Sequence, residues 1–286
     1  MKQVKSVYSA PPMHWVGDGF PVRSVFDYHH LGEALSPFLL LDYAAPTPFA
    51  PAARPRGVGA HPHRGFETVT LVFDGEVAHH DSTGQGGVIG PGDVQWMTAA
   101  SGILHQEYHS DTFTAQGGLL HMVQLWVNLP AAHKMAPPGY QAITADCFPI
   151  VPLPAGAGTA RVIAGSFCAA QGPAHTFSPL QVLDLHLPAG SQTQIDVQDG
   201  WTTLLVVLQG SMEINSSAHA NAAQLVLFEP VGDQIAAAAR SDTHALLLSG
   251  QPLGEPIAGH GPFVMNSRAE IMQAIDDFNH GRFGSL

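Results

Sequence analysis

His61-Pro62-His63-Arg64-Gly65-Phe66-Glu67-Thr68-Val69-Thr70 decides how this chain is read, together with Gly102-Ile103-Leu104-His105-Gln106-Glu107 further along. Each string holds an i, i+2 pair of metal-ligand side chains, and residues two apart on a β-strand point to the same side. Two adjacent strands would therefore aim His61, His63, His105 and Glu107 into one pocket. Three neutral imidazoles and one carboxylate suit a divalent transition metal with positions left open for solvent or substrate. A chain with 17 histidines will place some at this spacing by chance. Here both pairs sit in glycine-rich β text, which favours the metal reading.

Working outward, 30 glycines and 23 prolines are spread along the chain and break it into short segments. That is the habit of an all-β fold with many turns. Strand-like stretches include 38–42 (FLLLD), 67–73 (ETVTLVF), 76–80 (EVAHH), 94–97 and 123–127 (VQLWV). A second set follows at 160–164, 180–187, 203–208, 211–215, 224–228 and 245–248. Helical periodicity enters only at the end. Ser267 with Glu270 forms a capping box, Ile271, Ala274, Ile275 and Phe278 supply an apolar face, and His280-Gly281 ends the helix.

The segment 128–141 (NLPAAHKMAPPGYQ) is proline-rich and aperiodic, so it reads as a linker between two β units. The expected division is 1–130, a linker over 131–145, and 146–286 with the C-terminal helix in the second unit. A faint repeat supports two copies of one architecture: 70–75 (TLVFDG) resembles 205–210 (LVVLQG). Aligning Gly75 with Gly210 sets Asp196 opposite His61 and Gln198 opposite His63, so the second copy lacks the imidazole pair.

Composition narrows the partners. Eleven Lys+Arg against 23 Asp+Glu give a net charge of −12. Phosphate contacts need clustered Lys and Arg, so direct nucleic-acid binding and an anionic membrane surface are not expected. No apolar run approaches the roughly 18 residues of a bilayer span, and the first twenty residues hold no apolar signal core. Two isolated cysteines, Cys147 and Cys168, show no zinc or disulfide spacing and fit a reducing compartment. A cytoplasmic monomer is the expectation. Walker, GxSxG and GxGxxG signatures are absent, which argues against a nucleotide or serine-hydrolase enzyme.

Glu67 shares the parity of His61 and His63, so the residues alone allow Glu67, Glu107 or both as carboxylate ligand. Of His79-His80, one should pack and the other face solvent. Gln95, Met97 and Gln124 read as barrel filling, and Trp96 and Trp126 as core aromatics.

His61, His63, Glu67 and Gly75 resemble the first cupin motif, and Pro91-Gly92-Asp93 leading to Gly102 and His105 resembles the second. Longer strings resemble the pirin family: HPHRGFETVT (61–70), PGDVQWMTA (91–99), GILHQE (102–107), QLWVNLP (124–130) and EPIAGHGPFVMN (255–266). The resemblance implies a bicupin of two antiparallel β-barrels with metal in the N-terminal barrel only. It implies Fe(II) on His61, His63, His105 and Glu107, favouring Glu107 over Glu67, although such a set also accepts Mn, Co, Ni, Cu or Zn. It further implies dioxygenase activity on flavonols of the quercetin type, with a small aromatic substrate and O2; a carboxylate near the metal can take the substrate's proton, and Glu107, if it loosens from the metal, is the candidate base. The alternative is a non-catalytic, iron-binding, redox-sensitive regulator of a transcription factor or metabolic enzyme, for which the acidic balance suits a protein partner. Ala100-Ser101 and Tyr108-His109 depart from the family's usual residues near the expected mouth of the site, which bears on substrate preference.

Overall fold

The computed structural model describes residues 1–286 and is built almost wholly from antiparallel strands. It divides into two units. One comprises Pro12–Arg23, Phe38–Ala145 and Gly254–Leu286; the other comprises Met1–Pro11, Ser24–Pro37 and Asp146–Leu253. Each unit pairs a seven-stranded sheet with a four-stranded one, in a jelly-roll arrangement rather than as a closed barrel. No helix is long and apolar enough to cross a membrane.

In the unit holding His61, the large sheet runs Gly139–Ile143, Val94–Thr98, Phe66–Asp74, Gly118–Asn128, Phe38–Phe49, Phe20–Asp27 and His14–Val16. Its small sheet runs Gly57–His63, Ile103–His109, Val77–Asp81 and Gly86–Ile89. The second unit repeats this strand order with Gln192–Asp196, Gln234–Ala239, Ser211–Ile214 and Ala218–Asn221 in the small sheet. The faint sequence repeat is therefore a repeat of topology.

Alternation explains the strands. Leu183, Leu185 and Leu187 pack with Leu205, Val207 and Leu247 in the second unit's core, each almost wholly buried. Such side chains contribute about 1.5–3 kcal/mol apiece. In the first unit, Phe20, Val22, Phe49, Val72, Val77 and Phe113 form a comparable cluster.

The boundaries differ from the sequence reading in three ways, the first being that Met1–Pro11 and Ser24–Pro37 fall in the unit of Asp146–Leu253 rather than with the rest of 1–130. The proline-rich segment is no free linker, because Gly139–Ile143 pairs antiparallel with Val94–Thr98 and closes an edge of the large sheet. The C-terminal helix, Arg268–Asn279, belongs to the unit with the histidine pairs. Ile271 and Ala274 bury against Phe263, Met265 and Phe283 there. Ser267 caps the helix by accepting from the Glu270 amide, as expected. Phe278, however, stays 38% exposed, and its neighbour Asp277 turns inward to meet Arg64. An ion pair, invisible to apolar periodicity, sets that rotation.

Candidate metal centre

The two histidine-bearing strings form neighbouring strands. His105 sits directly opposite His61, and Ile103 opposite His63. Glu107 then pairs with Val58, so one extra residue bulges from the Gly57–His63 strand beside the site. Such a bulge re-aims the side chains around it. Gly57 is required by the close approach, because a Cβ there would lie 2.1 Å from the Glu107 carbonyl oxygen.

The imidazoles of His61, His63 and His105 converge, with ring centroids 4.1 Å apart for His61–His105 and 4.8 Å for His63–His105. Their ligand atoms lie within 4.8 Å of one another. His105, Glu107 and His79 form an overlapping group of the same closeness, so His105 joins the two. The expected four residues are thus held as a histidine triad with Glu107 attached through His105. His61 is half-buried; His63, His105 and Glu107 are buried.

The donor set fits a metal. His63 Nδ1, His105 Nε2 and Glu107 Oε1 are buried and have no hydrogen-bond partner. Orphaned polar atoms of this kind are costly unless something else binds them. Burial, reinforced by neighbouring imidazoles, pushes the His63 and His105 pKa values well below the ordinary range. Both rings are therefore neutral, the form that ligates.

Glu67 stands apart. The strand does not continue evenly from His63, since Gly65 turns with φ +89°, and a Cβ at that position would lie 2.0 Å from the Val264 carbonyl oxygen. The parity that made Glu67 a rival is broken there. Its Oε1 accepts from the Thr98 hydroxyl at 2.7 Å, and burial pushes its pKa up to about 7.

Other residues do more than the sequence reading gave them. Gln124 donates from Nε2 to Glu107 Oε2 at 3.0 Å, leaving Oε1 as the free oxygen. Trp126 donates to Gln124 Oε1 at 3.4 Å and sets its ring edge-on to His63 at 5.4 Å. His79 is buried and His80 exposed, as the alternation required. But His79 also touches His105, contacts Gln95, and stacks on Tyr140 at 5.1 Å. Asp81 completes that group through His79. Only the His-x-Asp spacing of 79–81, the same i, i+2 rule, could have signalled it.

At the matching place in the second unit, Asp196 and Gln198 line a cavity of about 510 Å³ with Trp201. On the strand across from Asp196, Gln234 stands opposite it where His105 faces His61, and Ala236 follows two residues on in place of the carboxylate. A third group, Asp184, His186 and His244, lies on that unit's large sheet. There Arg161 already holds the carboxylate, with Nε 3.0 Å from Asp184 Oδ2.

Comparison with known proteins agrees with the strings. Residues 19–127 match the pirin family model, and 182–284 match the pirin C-terminal cupin domain. A Pseudomonas aeruginosa protein named "Putative quercetin 2,3-dioxygenase" is 57% identical over 99% of this chain and 99% of its own length. Human Pirin is 37% identical over 87% of this chain and 83% of its own. A crystal structure of quercetin 2,3-dioxygenase from Acinetobacter baumannii superposes with a TM-score of 0.98 at 53% identity, covering 100% of this chain and 99% of that one. The paired cupin architecture, the histidine-bearing strands and these likenesses lead to one statement: the chain belongs to the pirin family.

Proposed function

We propose that this chain is a metal-dependent dioxygenase that cleaves flavonols of the quercetin type, with Fe(II) held by His61, His63, His105 and Glu107. The observation that carries the reading is the set of buried, unpartnered ligand atoms on His63, His105 and Glu107, gathered beside His61. When bound, the metal would supply Lewis-acid polarisation of a substrate hydroxyl and electron exchange with O2.

The protein's share of the chemistry follows from its side chains. Glu107 Oε1, on loosening from its ligand role, accepts the proton of the flavonol hydroxyl, while Gln124 keeps Oε2 engaged and the carboxylate oriented. Loss of that proton leaves an electron-rich enolate, the species that reacts with O2. Phe66 and Trp126, their ring centroids 4.2 Å apart, both pack edge-on to His63 and give the pocket an apolar flank. The half-buried His61, next to exposed Gly59 and Ala60, marks the side open to substrate.

O2 uptake with quercetin and related flavonols tests this, using protein loaded separately with Fe, Mn, Co, Ni or Cu. Consumption of one O2 per flavonol by at least one form is expected. Failure of every loaded form overturns the enzymatic reading, and a metal-bound protein without turnover would instead fit the redox-sensitive regulator.

A further inference from the structure

Behind His105 lies a chain of buried polar groups that the proposed chemistry does not use. Asp81, His79, Gln95 and His105 are each at most 4% exposed. Asp81 sits directly across from His105, and His79 across from Glu107, on the Val77–Asp81 strand. Asp81 Oδ1 is filled by the Thr83 amide at 2.8 Å, the Thr83 hydroxyl at 2.6 Å and the Gln85 amide at 3.3 Å. Its Oδ2 is left for His79 Nε2, 3.1 Å away.

The partners dictate the protons. Asp81 takes three donors on Oδ1 and turns Oδ2 to His79 as an acceptor, so His79 carries its hydrogen on Nε2 and leaves Nδ1 bare. Gln95 agrees with this. The Tyr140 hydroxyl donates to Gln95 Oε1 at 3.4 Å, which turns Gln95 Nε2 toward His79 Nδ1 at 3.1 Å. His79 Nδ1 also lies 3.3 Å from His105 Nδ1. With His79 Nδ1 an acceptor, His105 must carry its hydrogen on Nδ1. The bare nitrogen of His105 is then Nε2, which is buried and has no hydrogen-bond partner.

We infer that Asp81 and His79 are positioning residues that fix the tautomer of His105 and present its Nε2 lone pair to the metal, an inference that rests on the metal-centre reading above. A metal-ligating histidine commonly donates its other N–H to a carboxylate or carbonyl, which orients the ring and raises its basicity. In this chain the carboxylate acts one residue removed, through a second imidazole. His79 is thereby committed to Asp81, Gln95 and His105, and stays outside the ligand set.

Asp81→Asn is the sharp test because it inverts the relay while keeping the turn. The amide oxygen can still receive the Thr83 and Gln85 donors, so the new NH2 faces His79 Nε2. That forces the hydrogen of His79 onto Nδ1, where it opposes the N–H of His105 and drives the His105 proton to Nε2. Two readouts follow, with thermal unfolding used to confirm that the variant folds. Nitrogen-15 histidine NMR of metal-free wild type is expected to show His79 as the Nε2–H tautomer and His105 as the Nδ1–H tautomer, both reversed in Asp81→Asn. Ni(II) titration is expected to show roughly 10–100-fold weaker binding in the variant. Wild-type protein with His79 protonated on Nδ1 overturns the inference, as does an Asp81→Asn variant with wild-type tautomers and nickel affinity. His61→Ala separates the two readings: full nickel stoichiometry there overturns the ligand set alone, and the wild-type tautomer spectrum still decides the relay.

Discussion

Arg64 donates from Nη1 to Asp277 Oδ2 at 2.7 Å, tying the residue after His63 to the C-terminal helix. Arg64 Nε also donates to the Ser101 carbonyl at 2.6 Å, and the guanidinium lies 4.6 Å from the Phe283 ring centroid. Both side chains of the pair are nearly inaccessible, at 5% and 11% exposure. The turn that ends the first ligand strand is thus held by residues more than two hundred positions away.

Asp277→Ala should destabilise the protein by on the order of 3 kcal/mol, because it leaves a buried guanidinium unpaired. Thermal unfolding should show a drop of roughly 6–12 °C. The hydrogen bond from Arg64 holds the Asp277 carboxyl down to about 2, from an ordinary 3.8. A depressed carboxylate contributes its stability fully above the unfolded value. That contribution should fade as pH falls from about 3.8 toward about 2 in wild type and be missing from the variant.

Removing the metal should lower the melting temperature of wild type and leave that of His61→Ala unchanged. At a hundredfold excess over its Kd, a ligand of the folded state adds about 2.7 kcal/mol. Scans with and without a chelator, alongside elemental analysis, measure this. A His61→Ala protein that keeps one metal per chain would contradict the proposed ligand set.

Glu67→Gln should leave metal content intact and change the pH profile of stability. The buried carboxyl has its pKa raised from 4.5 to about 7, so the folded state holds a proton that the unfolded state releases. Wild-type stability therefore falls as pH rises through that window, by up to about 3 kcal/mol. The amide still accepts from Thr98 and removes the slope. Denaturant midpoints at pH 5 and pH 8 compare the two proteins; loss of metal from the variant would return Glu67 to the ligand set.

Gln124→Leu should cut flavonol turnover roughly 10–100-fold while metal stoichiometry stays at the wild-type value. The substitution removes the donor that holds Glu107 Oε2. Steady-state kinetics on the metal-loaded variant measure it, and unchanged kcat would remove Gln124 from the proposed chemistry.

Asp184→Asn tests the second unit separately. Against burial, which raises it, the Asp184 carboxyl is held well below the usual range by His186, by His244 Nε2 at 2.7 Å and by Arg161. We expect a loss on the order of 3 kcal/mol without change in metal content. A fall in metal stoichiometry would show that this cluster carries metal.

The histidine pairs, the strand text and the repeat were legible in the sequence because β alternation acts over two residues and turns over four. His61, His63 and His105 came together on adjacent strands for that reason, and His79 packed while His80 faced solvent. Long-range pairing was not legible. The edge strand at Gly139–Ile143, the membership of the C-terminal helix and the inward turn of Asp277 all depend on contacts between distant segments. The choice between Glu67 and Glu107 belongs with them. By itself the sequence determined which side chains could bind a metal and that they would lie on strands. Only the tertiary structure decided which carboxylate stands free beside them, because the Gly65 turn breaks the parity of Glu67 and Thr98 occupies it, while strand pairing and Gln124 leave one oxygen of Glu107 exposed to the histidines.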